Sequence, residues 1–146
     1  MDISKSTEEF YKLYGIGEVR IFFSPGRVNL IGEHIDYNEL GTYGWVRKRN
    51  DNKIRLASKN IGLRVEVDID DLKYEKEHSW ANYPKGVLHF MKEDGYRLQG
   101  MDILVWGNIP YGAGLSSSAS LELLIAEMVN NLFNHGNIPK MDLVKL

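Results

Sequence analysis

The chain has 146 residues, a formal net charge of -2 from 18 Lys and Arg against 20 Asp and Glu, and no cysteine. That length suits one domain burying roughly 70% of its unfolded surface, and the near-balanced charge offers no broad attraction to nucleic acid or to an anionic membrane. Without thiols there are no disulfides and no thiolate metal sites. Met1 to Lys5 carry no apolar leader and no later run reaches the length of a membrane span, so a soluble, cytoplasmic protein is expected.

In chain order, Thr7 reads as the cap of a short helix with Glu8 and Glu9 in its first turn. Phe10, Leu13 and Tyr14 form its apolar side, and Gly15 ends it. Val19 to Phe23 reads as a strand that delivers the chain to Pro25 and Gly26. The densest polar stretch follows: Arg27, Asn29, Glu33, His34, Asp36 and Asn38 stand in a turn-rich run. Buried polar atoms cost free energy unless each finds a partner, and a polyol would supply such partners. Arg27 has an alternative reading as an ion-pair partner of Glu33 or Asp36.

Thr42 to Arg47 and Ile54 to Ser58 read as two strands joined by the polar turn Lys48 to Asn52. Arg47, Lys48, Arg49, Lys53 and Arg55 around that turn read as a solvated basic turn, because no aromatics are interleaved for base stacking. Leu63, Val65, Val67 and Ile69 alternate with charged residues, as in a half-buried strand. Ser79 precedes a helix with Val87, Leu88, Phe90 and Met91 on one side, its Pro84 tolerable only in the first turn. Met101 to Trp106 is a further strand. His78, His89 and His135 share no metal-ligand spacing.

Gly107 to Ser120 joins that strand to the longest expected helix, Gly114 to Phe133, whose Leu121, Leu124, Ile125, Met128, Val129 and Leu132 recur at three and four. Glycines let the backbone pass close to a ligand, serines add hydroxyl donors, and the helix start supplies free N–H groups and a positive dipole end. A phosphate is the natural guest, although Ser116 to Ser118 also read simply as helix caps. The run is neither the lysine-bearing P-loop nor the spaced-glycine dinucleotide fingerprint. From Pro139 a new apolar pattern starts and stops within about two turns, against a mean helix of about 11–12 residues, so the C-terminus reads as cut.

Taken together, Gly26 to Asn38 and Pro110 to Ser120 resemble the two signatures of the galactokinases, a branch of the GHMP small-molecule kinases. Trp80 to Gly86 is similar to the segment beside the adenine pocket in that family. The resemblance implies an α+β fold like ribosomal protein S5 domain 2, a mixed sheet with helices packed on one face, with residues 1–146 as an N-terminal domain. It implies transfer of the γ-phosphate of ATP to the anomeric hydroxyl of galactose, with Arg27 near the reacting oxygen and Glu33, His34 and Asp36 on the sugar hydroxyls. Gly112, Ala113, Gly114, Leu115, Ser116, Ser117 and Ser118 would wrap the ATP phosphates, Ser118 would reach Mg2+, and Ser58 and Trp80 would lie by the nucleotide.

The chain departs from the family pattern in three places. The family's catalytic aspartate and second magnesium carboxylate come from sequence beyond Leu146. Only Glu39 and Leu40 separate Asn38 from Gly41, where the family usually has a further apolar strand, and Ile35 replaces a common threonine. An inactive fragment is expected, with self-association through an incomplete core or strand edges. Alternatives are a non-catalytic galactose- and ATP-binding regulator, and a kinase of N-acetylgalactosamine; the Glu33-His34-Ile35-Asp36 cluster argues against mevalonate or homoserine.

Overall fold

The computed structural model describes residues 3–26, 40–108 and 117–138. In chain order these form α1 (Ile3–Tyr14), β1 (Arg20–Pro25), β2 (Gly41–Lys48), β3 (Lys53–Ser58), β4 (Val65–Asp68), α2 (Asn82–Glu93), β5 (Met101–Gly107) and α3 (Ser117–Phe133), with a 3-10 turn over Lys76–Ala81. The sheet runs β1-β2-β5-β3-β4. It is mixed: β3 and β5 are parallel and the other three pairings antiparallel. The expected turn between β2 and β3 exists, but the two strands do not pair, because β5 inserts between them.

Side-chain alternation gives each face its own core. Val46, Ile54, Leu56, Ile103 and Val105 meet α2 and α3 on one face, where Leu88, Met91, Leu124, Ile125 and Met128 are fully buried. Residues offset by one, Trp45, Ala57 and Leu104, meet Phe10 of α1 on the other. This is the expected mixed sheet with α2 and α3 on one face, and α1 adds cover on the second. The α3 periodicity holds at every expected position. Phe90, read as part of the buried side of α2, is instead 58% exposed.

Thr7 does not cap α1. The helix starts four residues earlier, and the Thr7 hydroxyl donates to the Ile3 carbonyl oxygen at 2.8 Å and accepts from Trp45 Nε1 at 3.1 Å. A hydroxyl bonded back to its own helix is thus used to anchor a buried indole.

The basic turn is also not merely solvated. Asp102, 1% exposed as the second residue of β5, takes Arg55 Nε at 2.6 Å, Arg49 Nη1 at 3.0 Å and Arg47 Nε at 3.1 Å. Burial alone would raise its pKa, and the three guanidiniums overcome that and hold it below the usual carboxylate range. Arg47 also donates to the Tyr14 and Gly15 carbonyls at the end of α1. Tyr14 Oη donates to the Ile103 carbonyl at 2.9 Å. The arginines therefore bolt α1 to the sheet, which spends them on the fold.

Lys85 in α2 is the second buried charge, 1% exposed, with Nζ 2.6 Å from His78 Nδ1 and 3.8 Å from Glu75 Oε2. Burial pushes its pKa down, opposed by Glu75. A lysine whose folded pKa is depressed binds fewer protons folded than unfolded below about pH 10.4, so stability rises as pH climbs through that window. Lys85→Met is expected to be neutral or stabilising by about 1 kcal/mol at pH 7, with the gap to wild type closing near pH 10. Urea unfolding at the two pH values checks this.

Candidate functional site

The cleft lies where the parallel strands β3 and β5 end and α3 begins. Its volume is about 380 Å³, and its lining is Thr42, Ser58, Asn60, Ile61, Trp80, Tyr83, Val105, Gly107, Ser118 and Leu121. Three residues separated widely in sequence, Ser58, Trp80 and Ser118, are brought together here. Arg27, Glu33, His34, Asp36 and Gly112 to Ser116 lie outside the described residues, as does the position after Asn38 where a strand is expected to be lacking. Ser117 is described only as the first residue of α3.

Each wall has a local cause. Ser58 closes β3, and its Oγ accepts from the N–H groups of Asn60 and Ile61 at 3.0 and 3.3 Å, turning the chain across the cleft mouth. Trp80 follows Ser79, which sits at φ 49° and ψ -123°, a conformation costly for a residue with a Cβ. The surrounding chain enforces it: the Asn82 side chain donates to the Glu75 and Ser79 carbonyls at 2.8 and 3.1 Å and accepts from the Glu75 N–H at 3.1 Å. Trp80 is thereby held 8% exposed, and its Nε1 is buried without a partner among the described residues. Backbone strain next to an unsatisfied indole donor marks a feature that core packing alone does not require.

Ser118 occupies the first turn of α3, where the free N–H groups and the dipole favour an anion. Beneath it, Ser120 Oγ donates to the Ser24 carbonyl at 2.8 Å and lies 3.0 Å from Thr42 Oγ1. Since the Ser120 proton is directed to a carbonyl, Thr42 is the donor of the second bond. These buried hydroxyls tie the ends of β1 and β2 to the helix start. The sequence reading missed Thr42, Asn60, Ile61, Val105 and Leu121, none of which carries a local signal for a site.

Comparison with known proteins starts from this geometry. Residues 8–42 match the galactokinase galactose-binding signature and residues 82–146 match the GHMP kinases N terminal domain. A galactokinase of Clostridium tetani is 59% identical over 155 residues, covering 100% of this chain and 40% of its own length. The chain is homologous to the N-terminal part of galactokinases. A solved galactokinase of Lactococcus lactis, complexed with galactose, matches at 43% identity and a TM-score of 0.85 over 98% of this chain and 40% of its own. Mevalonate kinase of Methanococcus jannaschii shares the fold at 15% identity and a TM-score of 0.69. Among galactokinases, then, the chain corresponds to the N-terminal part, spanning about 40% of the length of the curated relatives it matches.

No helix among the described residues is long and apolar enough to cross a membrane. Nor do the described residues hold a group of three or more His, Asp or Glu fit for a metal ion. Magnesium in phosphoryl transfer asks less of the protein, because it keeps water and phosphate oxygens and takes only one or two protein ligands. The hydroxyl of Ser118 fits that limited demand.

Proposed function

We propose that the chain forms the sugar- and nucleotide-binding part of an ATP-dependent galactose kinase. The observation that carries the reading is the convergence of Ser58, Trp80 and Ser118 on one cleft at the start of α3, in a chain whose residues 8–42 match the galactose-binding signature. The adenine lies by Trp80 and Ser58, and the phosphates lie along Gly112 to Ser118 at the positive end of the helix. Ser118 holds magnesium, which neutralises phosphate charge when bound. Glu33, His34 and Asp36 fix the sugar hydroxyls, and Arg27 stabilises charge as the anomeric oxygen attacks the γ-phosphorus. As the new O–P bond forms, the hydroxyl proton passes to a base supplied from outside these 146 residues, the P–O bond to ADP breaks, and galactose 1-phosphate and ADP leave. Positioning and electrostatics supply most of the rate in such transfers.

The family's base and second magnesium carboxylate fall in the remaining part of the longer relatives. Alone, this chain is therefore expected to bind Mg-ATP weakly and to release no ADP when galactose is added. Calorimetry with ATP, galactose and N-acetylgalactosamine, beside a coupled ADP-release assay, tests both claims. Absence of binding to both ATP and either sugar sinks the reading. Galactose-dependent turnover that disappears in Arg27→Ala would show a complete active site within these 146 residues.

A further inference from the structure

The parallel ladder between β3 and β5 ends at Ser58 and Val105, yet the pairing does not stop there. Lys59 N–H donates to the Val105 carbonyl at 2.9 Å. One residue later the Asn60 side chain takes over: Nδ2 donates to the Gly107 carbonyl at 2.8 Å and Oδ1 accepts from the Gly107 N–H at 2.8 Å. A primary amide that satisfies both backbone groups of one residue imitates a strand neighbour. On the other side of β5 the same end is held to β2, because Gly41 N–H donates to Asn108 Oδ1 at 2.8 Å and Asn108 N–H to the Gly41 carbonyl at 3.2 Å.

We infer that Asn60 is a positioning residue, whose side-chain amide fixes Gly107 as the floor of the nucleotide cleft. Three observations support more than a structural role. Asn60 and Gly107 both line the cleft. The Asn60 N–H is itself held by Ser58 Oγ at 3.0 Å, which fixes the backbone that presents the amide. Gly107 is also the last residue of β5 and directly precedes Asn108, whose side chain holds Gly41, so the clamp acts where two strand ends meet. An apolar side chain at position 60 would leave the Gly107 N–H and carbonyl to water and loosen the floor without touching the core.

The inference rests on the nucleotide reading, and the test separates the two. Amide exchange at Gly107, measured by NMR on the whole chain, reports the clamp directly, and calorimetry with Mg-ADP reports the consequence. In Asn60→Ala, Gly107 exchange is expected to quicken about tenfold or more relative to Leu104, and the Kd for Mg-ADP to rise about tenfold, as for the loss of about 1.4 kcal/mol. Asn60→Asp keeps the acceptor for the Gly107 N–H but loses the donor, and it is expected to show the same weakening of Mg-ADP with smaller change in exchange. It also serves if the alanine variant does not fold. Faster exchange with unchanged Mg-ADP affinity would reduce Asn60 to a structural clamp and overturn the inference alone. Unchanged exchange in both variants would overturn it too. Failure of the wild-type chain to bind Mg-ADP would remove the nucleotide reading itself, and the inference with it.

Discussion

Asp102→Ala is expected to cost about 3–5 kcal/mol, the range for removing one partner from a buried ionic cluster. The carboxylate is 1% exposed and receives three guanidiniums, so its loss leaves Arg47, Arg49 and Arg55 crowded without their shared counter-charge. Arg49 keeps Asp51 at 2.7 Å and Arg47 keeps the end of α1, which is why the cost stays finite. A pH dependence accompanies it. Because the folded pKa of Asp102 lies below the unfolded value of about 3.9, its contribution is full above that value and is lost as pH falls through the folded pKa. Urea unfolding between pH 7 and pH 2 should show wild type losing stability steeply below pH 4 and the variant losing less. Equal slopes would mean that Asp102 titrates alike in the folded and unfolded chain, contrary to the arginine pairing.

Gly41→Ala should be far more damaging than the same change at Gly44. A Cβ at Gly41 would stand 2.1 Å from the Ser24 carbonyl oxygen, a backbone atom fixed across the β1–β2 ladder. At Gly44 it would meet Met128 Cε at 2.3 Å and Leu124 Cδ2 at 2.9 Å. The Met128 end can rotate away, whereas Ser24 moves only by parting two strands. The expected costs are about 3 kcal/mol or more at Gly41 and about 1 kcal/mol at Gly44. Gly41→Ala should also weaken Mg-ATP binding, since Gly41 holds Asn108 beside the cleft floor. Thermal denaturation of the two variants, with calorimetry, measures both effects; similar melting temperatures would contradict this account.

The parts of the fold legible in the sequence are those set by local periodicity. The apolar positions of α3, the place of Pro84 in the first turn of α2 and the strand nature of Met101 to Trp106 follow from spacing alone. What escaped reading depends on partners distant in sequence. Nothing near Lys48 to Asn52 announces that β5 will separate β2 from β3, and Asp102 looks like a lone acid in an apolar strand until Arg47 and Arg55 from those two neighbours and Arg49 from the turn between them close on it. Phe90 sits on the α2 face by spacing but finds no element above it among the described residues. In the site, Ser58, Trp80 and Ser118 follow from the family resemblance, and the cleft unites them. The kink at Ser79 and the amide of Asn60 were not readable, because neither a positive φ nor a side chain posing as a strand leaves a pattern in composition.

The insertion of β5 between β2 and β3 also governs the order in which the sheet is completed. Of the described strands, the central one is the last to leave the ribosome, after residues 41–58 have already supplied both of its neighbours. Until Met101 to Gly107 appear, β2 and β3 each present an open edge, and the Arg47, Arg49 and Arg55 side chains wait without Asp102. Closing the sheet requires contacts some 50 residues apart, which slows folding and lengthens the interval in which bare edges meet other chains. A nascent chain stalled before Met101 would thus hold both open edges at once, and with them three arginines that lack their shared carboxylate.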